Sequence, residues 1–191
     1  MNVTGTALPG VLLLEPRVFQ DARGLFWESW NRRTFEAATG AAPDFVQDNH
    51  SVSVRGVLRG LHYQLPNPQA KLVRVTAGEV FDVVVDLRRG SATFGRWIAE
   101  RLSAARGAQL WIPEGLAHGF LALSERAEVQ YKVTGHHDPG SERCIRWDDP
   151  TLAIDWPLGG VPPLVSPKDA AGLSFEEAPK YEADPRSGPA A

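Results

Sequence analysis

The stretch KLVRVTAGEVFDVVVDL, residues Lys71 to Leu87, decides the fold class. Residues 72–76 form a short run of aliphatic and β-branched side chains, residues 80–87 form a second, and Ala77-Gly78-Glu79 supplies a turn between them. The pair predicts a β-hairpin. Working outward, further strands are expected at residues 24–30, 50–54, 96–102, 109–112, 119–123 and 128–134, punctuated by a supply of 18 glycines and 15 prolines. About eight to ten short strands at this spacing point to a sandwich or barrel. Helix is scarce. Residues 31–38 make one short helix, with Asn31 as N-cap and Gly40 as stop. Ser166-Pro167-Lys168-Asp169 opens another turn, with Ser166 as N-cap and Pro167 in the first helical position.

The chain has 191 residues, enough for one domain with a substantial core. We expect a single domain over residues 1–182 and a frayed tail over 183–191, which includes the run DPRSGPAA. A net charge of -3 gives no overall pull towards nucleic acid or a membrane, so an anionic ligand must be gripped by a local group of Arg and Lys. Cys144 is the only cysteine, which excludes an internal disulfide and a multi-cysteine zinc site. No apolar run approaches the ~20 residues of a membrane span. The first residues, MNVTGTALPGVLLLEPR, lack a basic segment and a small-residue cleavage site, so the expectation is a cytoplasmic protein.

The densest polar segment is VLRGLHYQ, residues 57–64. A lone histidine such as His62 is readily explained as a half-buried ring tied to a carbonyl, but here Arg59, Tyr63, Gln64 and Lys71 crowd beside it. So many polar groups along an apolar strand need a site to justify their desolvation. Metal-binding cupins place two histidines two apart on one strand, where both point to one face and converge on the ion. The partner of His62 is Gln64, so that pair is missing. A later segment does follow the second cupin motif, G-x5-P-x-G-x2-H, with Gly107, Pro113, Gly115 and His118, although Ala122 stands where an Asn usually closes it. The chain therefore resembles a cupin-type jelly roll, the double-stranded β-helix, that has given up its metal. A single imidazole in a dry pocket is a better base than ligand.

Strand alternation assigns faces. Tyr131 shares one with Val129 and Val133, Lys71 with Val73 and Val75, and His118 with Leu116 and Phe120, so all three polar residues are expected to point into the barrel. On a regular strand Arg59 and His62 lie on opposite faces. Either Gly60 breaks the alternation with a bulge, or Arg59 works from the outer side. Asp169, third in its helix, fits an N-terminal capping role, its side chain reaching back to the cap backbone.

Taken together, FQDARGLFWESW, QDNHSVS, VLRGLHYQ, QAKLVRV, GEVFDVVVD, TFGRW, QLWIPEGLAHGFL, AEVQYK, ERCIRWDDPTLAIDWP and SPKD, in this order, resemble the dTDP-4-dehydrorhamnose 3,5-epimerase family. The likeness runs from about Leu12 to Leu173. It implies a metal-free, cofactor-free jelly-roll homodimer acting on dTDP-4-dehydro-6-deoxyglucose. By that resemblance His62 is the general base and Asp169 its orienting partner, which overrides the purely capping role. Tyr131 is the proton donor on the opposite sugar face, and Lys71 steadies the enolate oxygen. Arg23, Glu28, Gln47, Asp48, Asn49, Arg59, His118, Glu142 and Lys168 fall where the family holds nucleotide and sugar, with Arg23 and Glu28 carried to a neighbouring subunit by an exchanged N-terminal strand. One departure is His136-His137, where the family often carries two aromatics. Mono-epimerases of deoxysugar pathways share these motifs. A non-catalytic sugar-binding cupin would be expected to have lost His62, Lys71 or Tyr131, and all three are present.

Overall fold

The structure, a computed structural model, describes residues 1–182; the expected tail lies outside the described residues. In chain order the elements are β1 (Asn2–Gly5), β2 (Leu12–Glu15), β3 (Phe19–Asp21), β4 (Gly24–Phe26), α1 (Arg32–Thr39), β5 (Gln47–Val54), β6 (Leu58–Gln64) and β7 (Lys71–Ala77). They continue as β8 (Glu79–Asp86), β9 (Trp97–Ser103), β10 (Gln109–Ile112), β11 (Leu116–Ala122), β12 (Arg126–Val133), β13 (Glu142–Cys144) and α2 (Pro167–Ala170). Two antiparallel sheets, in the orders β1-β2-β10-β7-β12-β5 and β13-β6-β11-β8-β9, face each other, and β3-β4 forms a separate ribbon. The architecture is the all-β cupin-type jelly roll expected, with few short helices.

The hairpin expected across Gly78 does not form. β7 pairs with β10 and β12, whereas β8 pairs with β11 and β9, so the chain changes sheet at Gly78. The reason lies in the alternation itself. Val73 and Val75 of β7, with Val80 and Val84 of β8, belong to one buried cluster and face each other across the sandwich. Placed side by side in one sheet they would cover half that core. Gly78 makes the corner with φ +72°, and its carbonyl accepts from Ala104 N at 3.0 Å.

Both outer faces are covered too. Leu58, Leu61, Val83, Val85 and Leu121 pack beneath the C-terminal segment through Trp156, Phe175 and Tyr181. Leu14, Leu72 and Trp111 pack beneath Phe35 of α1. Strands buried on two faces read as near-continuous apolar runs, which is why residues 80–87 show so little polar alternation. α1 begins where expected: the Asn31 side chain accepts from Thr34 N at 3.2 Å, and Gly40 ends it at φ +71°. The strand expected over residues 24–30 stops at Phe26. Beyond it Ser29 O accepts from the Gln109 amide at 2.8 Å and Trp30 packs against Phe35 and Phe45, so this stretch serves α1 rather than a sheet.

A Cβ at Gly78 would lie 2.1 Å from both Arg126 O and Ser124 Oγ. Gly78→Ala is therefore expected to cost at least ~2 kcal/mol, read as a lower urea midpoint with an unchanged m-value.

Candidate active site

Between the sheets opens a cleft of about 370 Å³. Gln47 and Asn49 of β5, Arg59 and His62 of β6, Lys71 of β7, His118 of β11, Tyr131 of β12 and Glu142 of β13 all line it. The inward faces read from alternation are observed, since Val73, Val129, Leu116 and Phe120 lie in the core beside these polar residues.

The Arg59 question resolves as a bulge. His62 pairs with His118 and Arg59 with Phe120, so Gly60 and Leu61 together oppose the single residue Gly119. The extra residue restores Arg59 to the face of His62. Its guanidinium Nε donates to Ser53 Oγ at 3.1 Å.

His62 Nε2 lies 2.6 Å from Asp169 Oδ1. Ser166 caps α2 as expected, but it does so by accepting from Asp169 N at 3.1 Å. The carboxylate turns to the imidazole rather than to the cap backbone, because a half-buried ring N–H offers an acid what a solvated cap backbone does not, and from the cap it keeps only the Ser166 side chain. Burial pushes the Asp169 carboxyl up, but hydrogen bonding and charge from His62, the Gly60 N–H and Ser166 outweigh it and hold it below the usual range. Asp169 therefore stays ionised beside the ring.

Lys71 is only 8% exposed, and its ammonium donates to His62 O at 3.4 Å. Burial lowers its pKa to about 8, against the opposing attraction of Asp82 and Glu142. Burial likewise raises the Tyr131 phenol, with Arg59 pulling it back and Glu142 adding to the rise. His118 Nε2 sits 2.9 Å from both carboxylate oxygens of Asp82, which is fully buried. At the rim Glu142 pairs with Lys168, and His137 Nε2 stands 3.9 Å from Glu142 Oε2. Burial raises the Glu142 carboxyl, but Lys168, His62 and His137 more than reverse this and hold it down.

Four expected binding residues lie outside the cleft lining. Arg23 is on the β3–β4 ribbon, exposed and paired with its own neighbour Asp21 at 2.6 Å. Glu28 accepts from Asn31 and Thr34 at the start of α1. Asp48 points to the outer face, paired with Lys132 at 3.0 Å, and Lys168 reaches the cleft only through Glu142. Several residues of the site escaped the sequence reading. Asp82 was findable, since it shares an apolar face with Val80 and Val84 as Lys71 does with its valines. Ser51 and Gln69 line the cleft without any such signal. Ser51 Oγ is buried with no hydrogen-bond partner among the described residues.

As for a metal, Gln64 is committed elsewhere: its amide donates to Asn67 O at 2.9 Å and accepts from Asp138 N at 3.0 Å. The donor atoms of His62, Cys144 and Asp169 do lie within 4.8 Å of one another.

A jelly roll with a histidine–carboxylate pair, a buried lysine and a buried tyrosine around one cleft defines a small-molecule enzyme of the cupin class. Residues 5–177 match the profile of the dTDP-4-dehydrorhamnose 3,5-epimerase family, and the chain belongs to that family. It is 61% identical over 178 residues to the dTDP-4-dehydrorhamnose 3,5-epimerase of Pseudomonas aeruginosa, covering 93% of this chain and 98% of that one. Among solved structures, a dTDP-6-deoxy-D-glucose-3,5-epimerase of Legionella pneumophila, in complex with dTDP-4-keto-L-rhamnose, superposes with a TM-score of 0.90. It shares 48% identity and covers 95% of this chain and 99% of that chain. A 3'-monoepimerase of Streptomyces bikiniensis, in complex with dTDP-quinovose, superposes at 0.84 with 35% identity over 90% of this chain and 86% of that chain.

Because the Asp82 charge favours the Lys71 ammonium, Asp82→Asn is expected to move the Lys71 titration below its value of about 8. NMR of isotopically methylated lysines reads this directly, and an unchanged or higher midpoint would contradict the assignment.

Proposed function

We propose that the chain is a 3,5-epimerase that converts dTDP-4-dehydro-6-deoxy-D-glucose to dTDP-4-dehydro-L-rhamnose, with residues 1–182 acting as one domain. The observation that carries the chemistry is the 2.6 Å contact between His62 Nε2 and Asp169 Oδ1 at the wall of a cleft that Lys71 and Tyr131 also line. With its proton on Nε2 donated to the carboxylate, neutral His62 keeps the lone pair of Nδ1 for a substrate C–H.

The reaction needs no change of oxidation state. His62 takes the proton from a carbon flanking the C4 ketone, the C–H electrons form a carbon–carbon double bond, and negative charge collects on the C4 oxygen. A buried ammonium at Lys71 answers that charge, an effect worth roughly 3–4 kcal/mol for one preorganised donor. Inversion requires the proton to return from the other face. Tyr131 suits that role, since its raised pKa keeps the phenol protonated at neutral pH. Proton exchange with solvent resets both residues, and the second carbon follows the same course.

Arg59, Gln47, Asn49, His118 and Glu142 hold sugar and diphosphate. Arg59 offers the planar fork suited to phosphate oxygens, and Lys168 acts from the rim through Glu142, whereas Asp48, on the outer face, does not reach this ligand. Arg23 and Glu28 do not line this cleft and would serve that of a second subunit in a homodimer. The β3–β4 ribbon supports this, because it exposes Phe19 (51%), Leu25 (52%) and Phe26 (71%), a surface that a partner would cover. The free thiol of Cys144 suits the reducing cytoplasm. The greater likeness to 3,5-epimerases than to the mono-epimerase supports action at two carbons.

The test is turnover of dTDP-4-dehydro-6-deoxyglucose in D2O, read by NMR. Deuterium is expected at both C3 and C5. Label at one carbon would make the protein a mono-epimerase, and none would leave only a binding role. His62→Ala should abolish exchange at both carbons, and Asp169→Asn should slow it ~10²- to 10⁴-fold with the fold retained. EDTA should leave the rate unchanged.

The pH profile has a sign. Raising the pH through about 8 removes the Lys71 proton and with it the charge facing the enolate, so kcat should fall on the alkaline side with a midpoint near that value. Lys71→Arg should abolish that limb whatever activity it retains.

A further inference from the structure

The proposed mechanism makes no use of Cys144, yet this residue sits against its centre. β13 lies beside β6 with Cys144 directly paired to His62, so both side chains leave the sheet on the same side. Cys144 Sγ is 4.0 Å from Asp169 Oδ1 and 3.7 Å from Gly60 O. Thiol sulfur, imidazole nitrogen and carboxylate oxygen thus converge at one point, behind the face that His62 presents to the cleft.

We propose that His62 Nε2, Cys144 Sγ and Asp169 Oδ1 form an inhibitory site for a thiophilic divalent cation, zinc foremost, that switches off the base. The inference rests on the reading of His62 as that base. Ligand atoms bound at about 2.0–2.3 Å around a tetrahedral zinc lie roughly 3.3–3.8 Å apart. The three atoms here span separations from 2.6 Å to at most 4.8 Å. Seating the ion therefore needs the imidazole and carboxylate to part by under about 1 Å, and the sulfur to close by about 0.5 Å on the carboxylate and by no more than about 1.5 Å on the imidazole. A solvent water would complete the fourth position. The donor set selects the ion: one sulfur, one nitrogen and one carboxylate oxygen suit zinc and cobalt, whereas magnesium and calcium avoid sulfur.

The chemistry of occupancy explains why such binding would silence the enzyme. The S–H bond of Cys144 breaks as the metal–sulfur bond forms, and that proton goes to solvent. The metal takes the Nε2 lone pair, so the ring proton moves from Nε2 to Nδ1. That nitrogen is the one that must be unprotonated to accept from the sugar. Asp169, already ionised, exchanges an N–H donor for the cation and no longer orients the ring. One ion thus removes both the lone pair and its alignment.

The experiment uses tag-free protein in a non-chelating buffer. Zinc chloride should inhibit solvent deuterium exchange into dTDP-4-dehydro-6-deoxyglucose, and EDTA should restore it. Cobalt chloride, added without substrate, should give a near-ultraviolet thiolate-to-cobalt charge-transfer band. In Cys144→Ser, whose uninhibited rate should match the parent, the band should vanish and the half-inhibitory zinc concentration should rise at least ~10-fold, since losing a direct ligand costs no less than losing an outer partner. Cys144→Ala serves as the second variant if the serine enzyme folds poorly. Absence of the cobalt band, or equal zinc sensitivity in the variant, overturns the proposal. A cobalt band that depends on Cys144 in an enzyme whose His62→Ala variant stays active would leave the metal site standing and refute the base assignment instead.

Discussion

At Gly60 the backbone runs at φ +124° and lies so close to β11 that a Cβ there would fall 2.5 Å from Gly119 Cα, while a Cβ on Gly119 would fall 2.7 Å from Arg59 O. Only two glycines allow this approach. The contact creates the bulge, and the bulge shifts the parity of β6, so that Arg59 and His62 both face the cleft while Leu58, Leu61 and Tyr63 stay in the outer core. The same peptide reaches the His62–Asp169 pair, with the Gly60 N–H helping to hold the Asp169 carboxylate and the Gly60 carbonyl accepting from Cys144. A regular strand would leave the guanidinium on the wrong side of the sheet.

Electrostatics inside the sandwich depend on that placement. Lys71, His118 and Asp82 are all nearly dry, and isolated charges at such depth would be prohibitive. They are tolerable because they are interleaved. Asp82 receives His118 on both oxygens and attracts Lys71, while Glu142 attracts Lys71 from the mouth of the cleft and is itself held by Lys168. Removing any one member leaves another uncompensated. A lysine poised near pH 8 is what such a balance gives: charged at neutral pH, yet only lightly hydrated, so its field in the cleft is little screened.

The sequence discloses this arrangement unevenly, and the reasons are physical. Period-two alternation is local, and it reveals Lys71, His118 and Tyr131 on apolar faces. It would have revealed Asp82 by the same count. The sheet to which a strand belongs is not local: a glycine turn looks the same whether it closes a hairpin or carries the chain across a sandwich, and only pairing with β10, β11 and β12 distinguishes them at Gly78. Arg59 depends on Gly119, 60 positions away, so no pattern within β6 could orient it. Arg23 and Glu28 illustrate the opposite limit, because their motif is legible while neither lines this chain's own cleft.

Asp169 shows why a local explanation can be sufficient and still incomplete. Ser166, Pro167 and an acid in the third helical position account fully for the start of a helix. Among the described residues that helix is only four residues long, and its cap bond joins Ser166 Oγ to the Asp169 N–H. The cap consumes the backbone N–H of Asp169 and leaves its carboxylate able to reach the imidazole. With φ restricted at Pro167 and the N–H tied to Ser166, the carboxylate has few positions left, and the one it takes lies 2.6 Å from His62. Capping is thus the means by which one short turn, 107 positions along the chain from its partner, becomes rigid enough to aim an imidazole.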